Sequence, residues 1–208
     1  MIVIGLRILI IGMLCSAVPK LYSEIPLGQQ KPKRKTKVEA TYNDLKNETI
    51  ARVGPFELWK PLQNSLSGEI SAARVDLLVS FSYPGKKIVT PKLVTVMIFS
   101  TSEKTGAFES QAIGDFEKRR AFSVFTISGR HDFGEMEMVG SGKGQGVSKG
   151  FLVREVLKKD LPLNDFEQIV ESEKVEIKIG DRKFKLTKQH LEAFRNLVSL
   201  MKEEGLEF

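Results

Sequence analysis

The chain has only two histidines, so acid–base or metal chemistry must run through His131 or His190, or do without an imidazole. His131 opens the one constellation with the right residue types. On an extended strand, His131, Glu135 and Glu137 would project from one face, with Met136 and Met138 on the other. One imidazole and two carboxylates form a donor set that could take a divalent cation, and such a cation would support hydrolysis. The plainer account is a charged outer face over a Met-lined core, because two-residue spacing on any exposed strand brings charges together. His190 falls in the first turn of a helical stretch, where a polar residue commonly caps, and reads as structural.

Other motifs fail on spacing. The glycine-rich stretch from Gly140 to Gly150 invites a phosphate-loop reading. Counting back from Gly142 and Lys143, however, puts Glu137 where the first glycine is required, and Gly144 replaces the hydroxyl that would hold Mg²⁺. A dinucleotide fingerprint starting at Gly140 and Gly142 would need glycine at Gln145. The stretch is therefore expected to be a mobile hairpin loop. There is no His-Glu-x-x-His helix or Asp-rich calcium loop. The cluster Phe116 to Arg120 reads as a solvated strand edge. Trp59 and three tyrosines are thin provision for the aromatic platforms of carbohydrate sites. Asn47, Glu48 and Thr49 form an N-glycosylation sequon. No catalytic residue and no cofactor is assigned from these patterns.

The N-terminus speaks to location. Arg7 precedes an apolar run from Ile8 to Leu14, and Ser16 and Ala17 follow, which is the order of a secretory signal peptide cut after Ala17. The apolar stretch Ile8 to Val18 is eleven residues, short of the ~20 that span a bilayer. Cys15 is the sole cysteine. A lipid anchor there would want a small residue before it, and Leu14 is not one. Cleavage at Ala17 would remove Cys15, and with it disulfides, thiolate nucleophiles and cysteine metal sites.

Charge is uneven. Seven of the 32 basic residues and two of the 26 acidic ones lie in residues 1–40, leaving 25 and 24 for residues 41–208, a net charge of +1 there. The body is close to neutral, which gives no support to a nucleic-acid-binding domain. Lys31, Lys33, Arg34, Lys35 and Lys37 place five cations in seven residues. Such a run is usually a solvated linker, and could also hold weakly to an anionic surface. The expected organisation is a signal peptide (1–17), a basic disordered linker (18–46) and one globular domain (47–208).

Within that domain, Val75, Leu77, Val79, Phe81 and Tyr83 recur at the period of two that a half-buried strand requires, ending in a turn at Pro84 and Gly85. Leu93 to Phe99 is apolar on both faces, as a central strand covered on both sides would be. Further strands are expected over Ala121–Ser128, Thr49–Trp59 (interrupted at Gly54 and Pro55), His131–Met138 and Gly150–Leu157. Val175, Ile177 and Ile179, a turn at Gly180 and Asp181, then Phe184 and Leu186 form a hairpin with one apolar face. Thr187 stands at an N-cap, followed by Leu191, Phe194, Leu197, Val198 and Met201 at helical spacing. A shorter helix near 163–172 should bury Phe166, Ile169 and Val170. The expected fold is α+β, a mainly antiparallel, sandwich-like sheet of seven or eight strands with that short helix and a C-terminal helix over 188–203.

The segment Val175 to Gly180 followed by Phe184 to Arg195 resembles the end of many uncharacterised bacterial exported domains. In those, a V-E-x-x-x-G hairpin leads through F-x-L into an L-E-A-x-R helix. Phe81 to Gly85 and Val94 to Thr101 look like their paired strands. The resemblance covers about half the chain, and its motifs are turns, stripes and caps. It implies an envelope or secreted protein and carries no catalytic residues. The expected function is a non-enzymatic binding or interaction module of the bacterial envelope, using a sheet face or the loops around 103–118 and 139–150. The alternatives are a hydrolase of envelope material working through His131, Glu135 and Glu137, and a structural protein tethered by its basic tail.

Overall fold

The alternation of apolar residues along Val75 to Tyr83 produces what its period demands, a strand burying Val75, Leu77, Val79, Phe81 and Tyr83. The computed structural model describes residues 37–59, 73–104, 114, 116–145 and 150–205, all within one unit, Lys35–Phe208. The expected signal peptide and the linker up to residue 36 lie outside the described residues. Ten strands and two helices are described: β1 (Glu39–Asn43), β2 (Glu48–Trp59), β3 (Ala73–Pro84), β4 (Leu93–Lys104), β5 (Ala121–Thr126), β6 (Gly129–Glu135), β7 (Glu137–Gln145), β8 (Phe151–Pro162), α1 (Leu163–Glu171), β9 (Glu176–Ile179), β10 (Arg182–Lys185) and α2 (Lys188–Met201).

They form a six-stranded sheet in the order β1-β2-β3-β4-β8-β7 and a four-stranded sheet in the order β10-β9-β5-β6. Every pairing is antiparallel. The chain visits the sheets alternately, so neither can be built without the other. The passage from β6 to β7 crosses between sheets at one buried residue, Met136, whose N–H donates to Arg120 O at 2.9 Å. The α+β, β-rich fold is thus as expected, with ten strands rather than seven or eight.

The helices match their sequence signals closely. α1 buries Phe166, Ile169 and Val170. α2 buries Leu191, Phe194, Leu197, Val198 and Met201, the whole apolar stripe. α2 packs on β2 and α1, and α1 packs on β4 and β8, so one face of the large sheet is roofed by helices. Phe194 sits at the centre of that contact, edge-on to Phe56 at 5.6 Å and tilted against Phe166 at 5.9 Å. A fully buried aromatic or aliphatic side chain contributes about 1.5–3 kcal/mol.

Three expectations are corrected. First, β1 lies inside the stretch assigned to the linker. Val38 and Ala40 pack against the core, and Asn43 Oδ1 accepts from the N–H groups of Leu45 and Lys46 at 3.1 and 3.3 Å, closing the turn into β2. Second, the glycine-rich stretch is strand as far as Gln145, paired to β8 from Gly140↔Val156 to Gln145↔Phe151. Backbone pairing needs no side chain, so glycine is tolerated in it. Third, β4 is central but not equally covered. Val94, Val96 and Ile98 are buried, while Thr95, Met97 and Phe99 on the other face are half-buried.

Candidate functional site

The residues with metal-binding types are not brought together. His131 pairs with Val124, whose side chain is buried, and His131 Nε2 lies 3.4 Å from Thr126 Oγ1 on that same face. Between Asp132 and Glu135 the strand carries one extra residue relative to β5, with Gly134 at φ +72°. That bulge reverses the alternation. Glu135 therefore pairs with exposed Ala121 and turns to the opposite face, 3.8 Å from Arg120. Glu137 belongs to the other sheet, opposite Lys158. The triad His131, Glu135, Glu137 is dispersed by the bulge and by the sheet crossing at Met136. Among the described residues, no three His, Cys, Asp or Glu side chains group closely enough to hold a cation.

His190 is a cap. Its N–H donates to Thr187 Oγ1 at 3.2 Å, and its Nδ1 accepts from the Thr187 N–H at 3.3 Å, a reciprocal capping box. Burial beside Phe56, 5.0 Å between ring centroids, pushes its pKa down.

The concave chemistry lies elsewhere, against the β9–β10 hairpin of the four-stranded sheet. Gly114, Phe116, Lys118 and Arg119, from the segment before β5, face Ile179, Asp181 and Arg182, from the β9–β10 hairpin, around a cavity of about 240 Å³. Phe116 and Ile179 are its buried apolar part. Among the described lining residues, Lys118, Arg119 and Arg182 are cations and Asp181 is an anion.

Each wall is fixed by identifiable bonds. The Glu155 carboxylate on β8, itself buried, accepts the Phe116 N–H at 3.1 and 3.2 Å. It lies so close to Gly114 that a Cβ there would meet the carboxyl group at 2.1 Å. Arg119 N–H donates to Phe116 O at 3.3 Å, and Gly180 N–H to Ala121 O at 2.8 Å. Gly180 is in the left-handed region, and a Cβ on it would fall 2.4 Å from Arg119 O. Only glycine lets the hairpin turn approach this closely. Arg119 and Asp181 form an ion pair between largely exposed side chains. The Arg182 guanidinium lies 5.2 Å from the Trp59 ring centroid and 5.8 Å from that of Phe116, held by cation–π contact on both.

Behind this wall, the buried Ser100 and Ser102 hydroxyls on β4 have no hydrogen-bond partner. Ser100 is directly opposite Glu155. The described hydrogen-bond partners of both imidazoles are threonines, not these serines.

Sequence reasoning named the loop around 103–118, which holds Gly114, Phe116 and Lys118, but not the β9–β10 half of this site. Lys118 and Arg119 read as a solvated edge because nothing local shows that the register Phe122↔Ile179 brings the β9–β10 turn beside them. A second, more open hollow is lined by Ser82, Pro91, Lys92, Leu93, Thr95, Lys158 and Asp160. There, burial would raise the pKa of Asp160, but the hydrogen bond from Thr95 at 2.6 Å and Lys158 at 3.0 Å outweigh it and hold it low.

Fold and site together define a two-sheet α+β domain with a pocket between the β9–β10 hairpin and the residues that precede β5. The chain matches no protein-family model, no curated protein and no solved structure. No helix among the described residues is long and apolar enough to cross a membrane.

Proposed function

We propose that the protein is an exported, non-enzymatic interaction module of the bacterial cell envelope. Its contact surface is Phe116–Arg120 together with the β9–β10 hairpin. The observation that carries this reading is the convergence of Lys118, Arg119 and Arg182 around one cavity, on a domain whose overall charge is nearly neutral. Support for export comes from the signal-like order of Arg7, Ile8 to Leu14 and Ala17, and from the resemblance of residues 175–195 to exported domains. Dispersal of His131, Glu135 and Glu137 removes the geometry on which the hydrolase alternative relied.

The test is affinity capture from the protein's own envelope extract, with intact-mass measurement of the mature N-terminus. The reading expects a mass matching cleavage after Ala17, and a partner retained by the wild type and lost by Arg182→Gln. A hydrolytic activity abolished by His131→Ala or Glu135→Ala would overturn it. The basic run Lys31, Lys33, Arg34, Lys35 and Lys37 favours a weaker second contact with anionic surfaces. Deleting residues 31–37 should then release the protein from envelope fractions at low salt, and unchanged retention would reject that contact.

A further inference from the structure

We infer that the outward face of the four-stranded sheet binds an acidic polysaccharide laid across its strands; the choice of a polysaccharide rests on the envelope location in the reading above. The face follows from register. Phe122 and Val124 on β5, Ile177 and Ile179 on β9, and Phe184 on β10 are buried, so the residues alternating with them turn away from the core. Two rows result. Lys183, Lys178, Ser123 and Asp132 are successive cross-strand partners in one, and Lys185, Glu176, Phe125 and Arg130 in the next. Lys183, Lys185 and Arg130 are exposed, and Lys178 is half-buried.

The carboxylates of this face are already engaged. Glu176 pairs with Lys183 at 3.1 Å and Asp132 with Arg130 at 2.7 Å, while Glu135 at the end of β6 lies 3.8 Å from Arg120. Lys178 and Lys185 have no carboxylate at ion-pair distance among the described residues. Lys178 stands directly opposite Lys183, and like charges so placed destabilise a sheet. An anionic group lying between them would turn that repulsion into attraction. Lys183 and Arg130 are held in advance, each in cation–π contact with Phe125, at 5.0 and 5.6 Å from its ring centroid. That restraint lowers the ordering cost of binding.

The spread of the charges selects the occupant. They run from β10 to β6 across three strand spacings, about 14 Å, so a small anion reaches only one or two of them. Single exposed ion pairs are weak, but contacts linked along one polymer reinforce each other through effective concentration. A polymer with one carboxylate per sugar ring spaces its charges on the scale of neighbouring strands, about 4.8 Å, whereas polyphosphate packs them more tightly. Nucleic acid would want an open aromatic platform for its bases. Phe125, the aromatic residue of the two rows, is half-buried and already carries both cations.

The experiment is affinity electrophoresis of the full chain in gels containing alginate, a polyuronate, with dextran, inorganic polyphosphate and oligothymidylate as comparison probes. Because Lys31 to Lys37 also attract polyanions, the readout is the difference between variants. Lys178→Gln/Lys185→Gln removes the two cations without a carboxylate partner and breaks no described ion pair. It should weaken alginate binding about tenfold, the scale of two surface ion pairs at the upper end of their range. It should not lower Tm, since the repulsion between Lys178 and Lys183 is relieved; misfolding cannot imitate that combination. Lys87→Gln/Lys92→Gln makes the same charge change at exposed positions between β3 and β4 and should leave alginate binding unchanged. Dextran, which is neutral, should retard no form. The inference is overturned if Lys178→Gln/Lys185→Gln binds alginate like wild type, if its Tm falls, or if Lys87→Gln/Lys92→Gln loses as much. A loss on polyphosphate or oligothymidylate at least as large as that on alginate, or retardation by dextran, would also overturn it. Envelope capture that persists with no loss on alginate would remove this ligand and leave the contact surface at Phe116–Arg120 standing.

Discussion

Glu155 is the residue on which the pocket wall depends, and Glu155→Ala measures that dependence. The carboxylate is 2% exposed and accepts the N–H of Phe116, itself 1% exposed. Alanine would leave that N–H without its carboxylate acceptor. Leaving a buried donor unsatisfied costs about 1–3 kcal/mol, and the vacated side-chain volume adds a cavity cost. The net expectation is a loss of about 2–3 kcal/mol. For a chain of this size, each kcal/mol lowers Tm by about 2–4 °C, so Glu155→Ala should melt roughly 4–12 °C below wild type. Glu155→Gln keeps an acceptor oxygen and should cost about half as much. Thermal unfolding followed by circular dichroism decides it. A Tm within about a degree of wild type for Glu155→Ala, or Glu155→Gln falling below Glu155→Ala, would refute the idea that this carboxylate pins the wall.

The other expectations are more local. Burial holds the pKa of His190 below its unfolded value, and only an unprotonated Nδ1 can accept the Thr187 N–H. The unfolded chain therefore binds the proton more readily. The stability contributed by neutral His190 is complete above about pH 6.5 and is lost as pH falls towards the lowered folded pKa. Urea melts at pH 7.5 and 5.5 should show that loss in the wild type and a flatter dependence in His190→Gln, which keeps the capping reach; equal slopes would refute it. Gly180→Ala combines a positive φ with a 2.4 Å approach to Arg119 O. It should cost about 1–3 kcal/mol and raise exchange of the Gly180 amide, so an unchanged melt and protected amide would count against the close approach. Phe194→Ala should cost about 3–5 kcal/mol, because Phe194 links Phe56 and Phe166 under the helical roof. A loss below 1 kcal/mol in chemical denaturation would contradict that packing.

What could be read from sequence was whatever is written locally. The stripe Leu191 to Met201 and the Thr187 cap specify α2 without help from the rest of the chain, and Val175 to Leu186 specifies its hairpin in the same way. The early strand was hidden because Glu39–Asn43 is short and follows a basic run, leaving Val38 and Ala40 as its few apolar contacts. Gly140 to Gln145 read as loop because glycine carries no period, and its strand state depends on β8 lying alongside. His131 to Met138 read as one strand with one chemical face. A single extra residue at the Gly134 bulge reversed that face, and Met136 handed the chain to another sheet. The pocket was the least legible feature, since its two halves meet only through the pairing of β5 with β9.

The most direct test of the central claim is co-sedimentation of the purified mature protein with isolated envelopes, comparing wild type with Arg182→Gln at a salt concentration that screens the contact made by residues 31–37. The account predicts that wild type sediments with the envelopes and that Arg182→Gln stays largely in the supernatant. Equal sedimentation of wild type and Arg182→Gln, or none of the wild type, would contradict it.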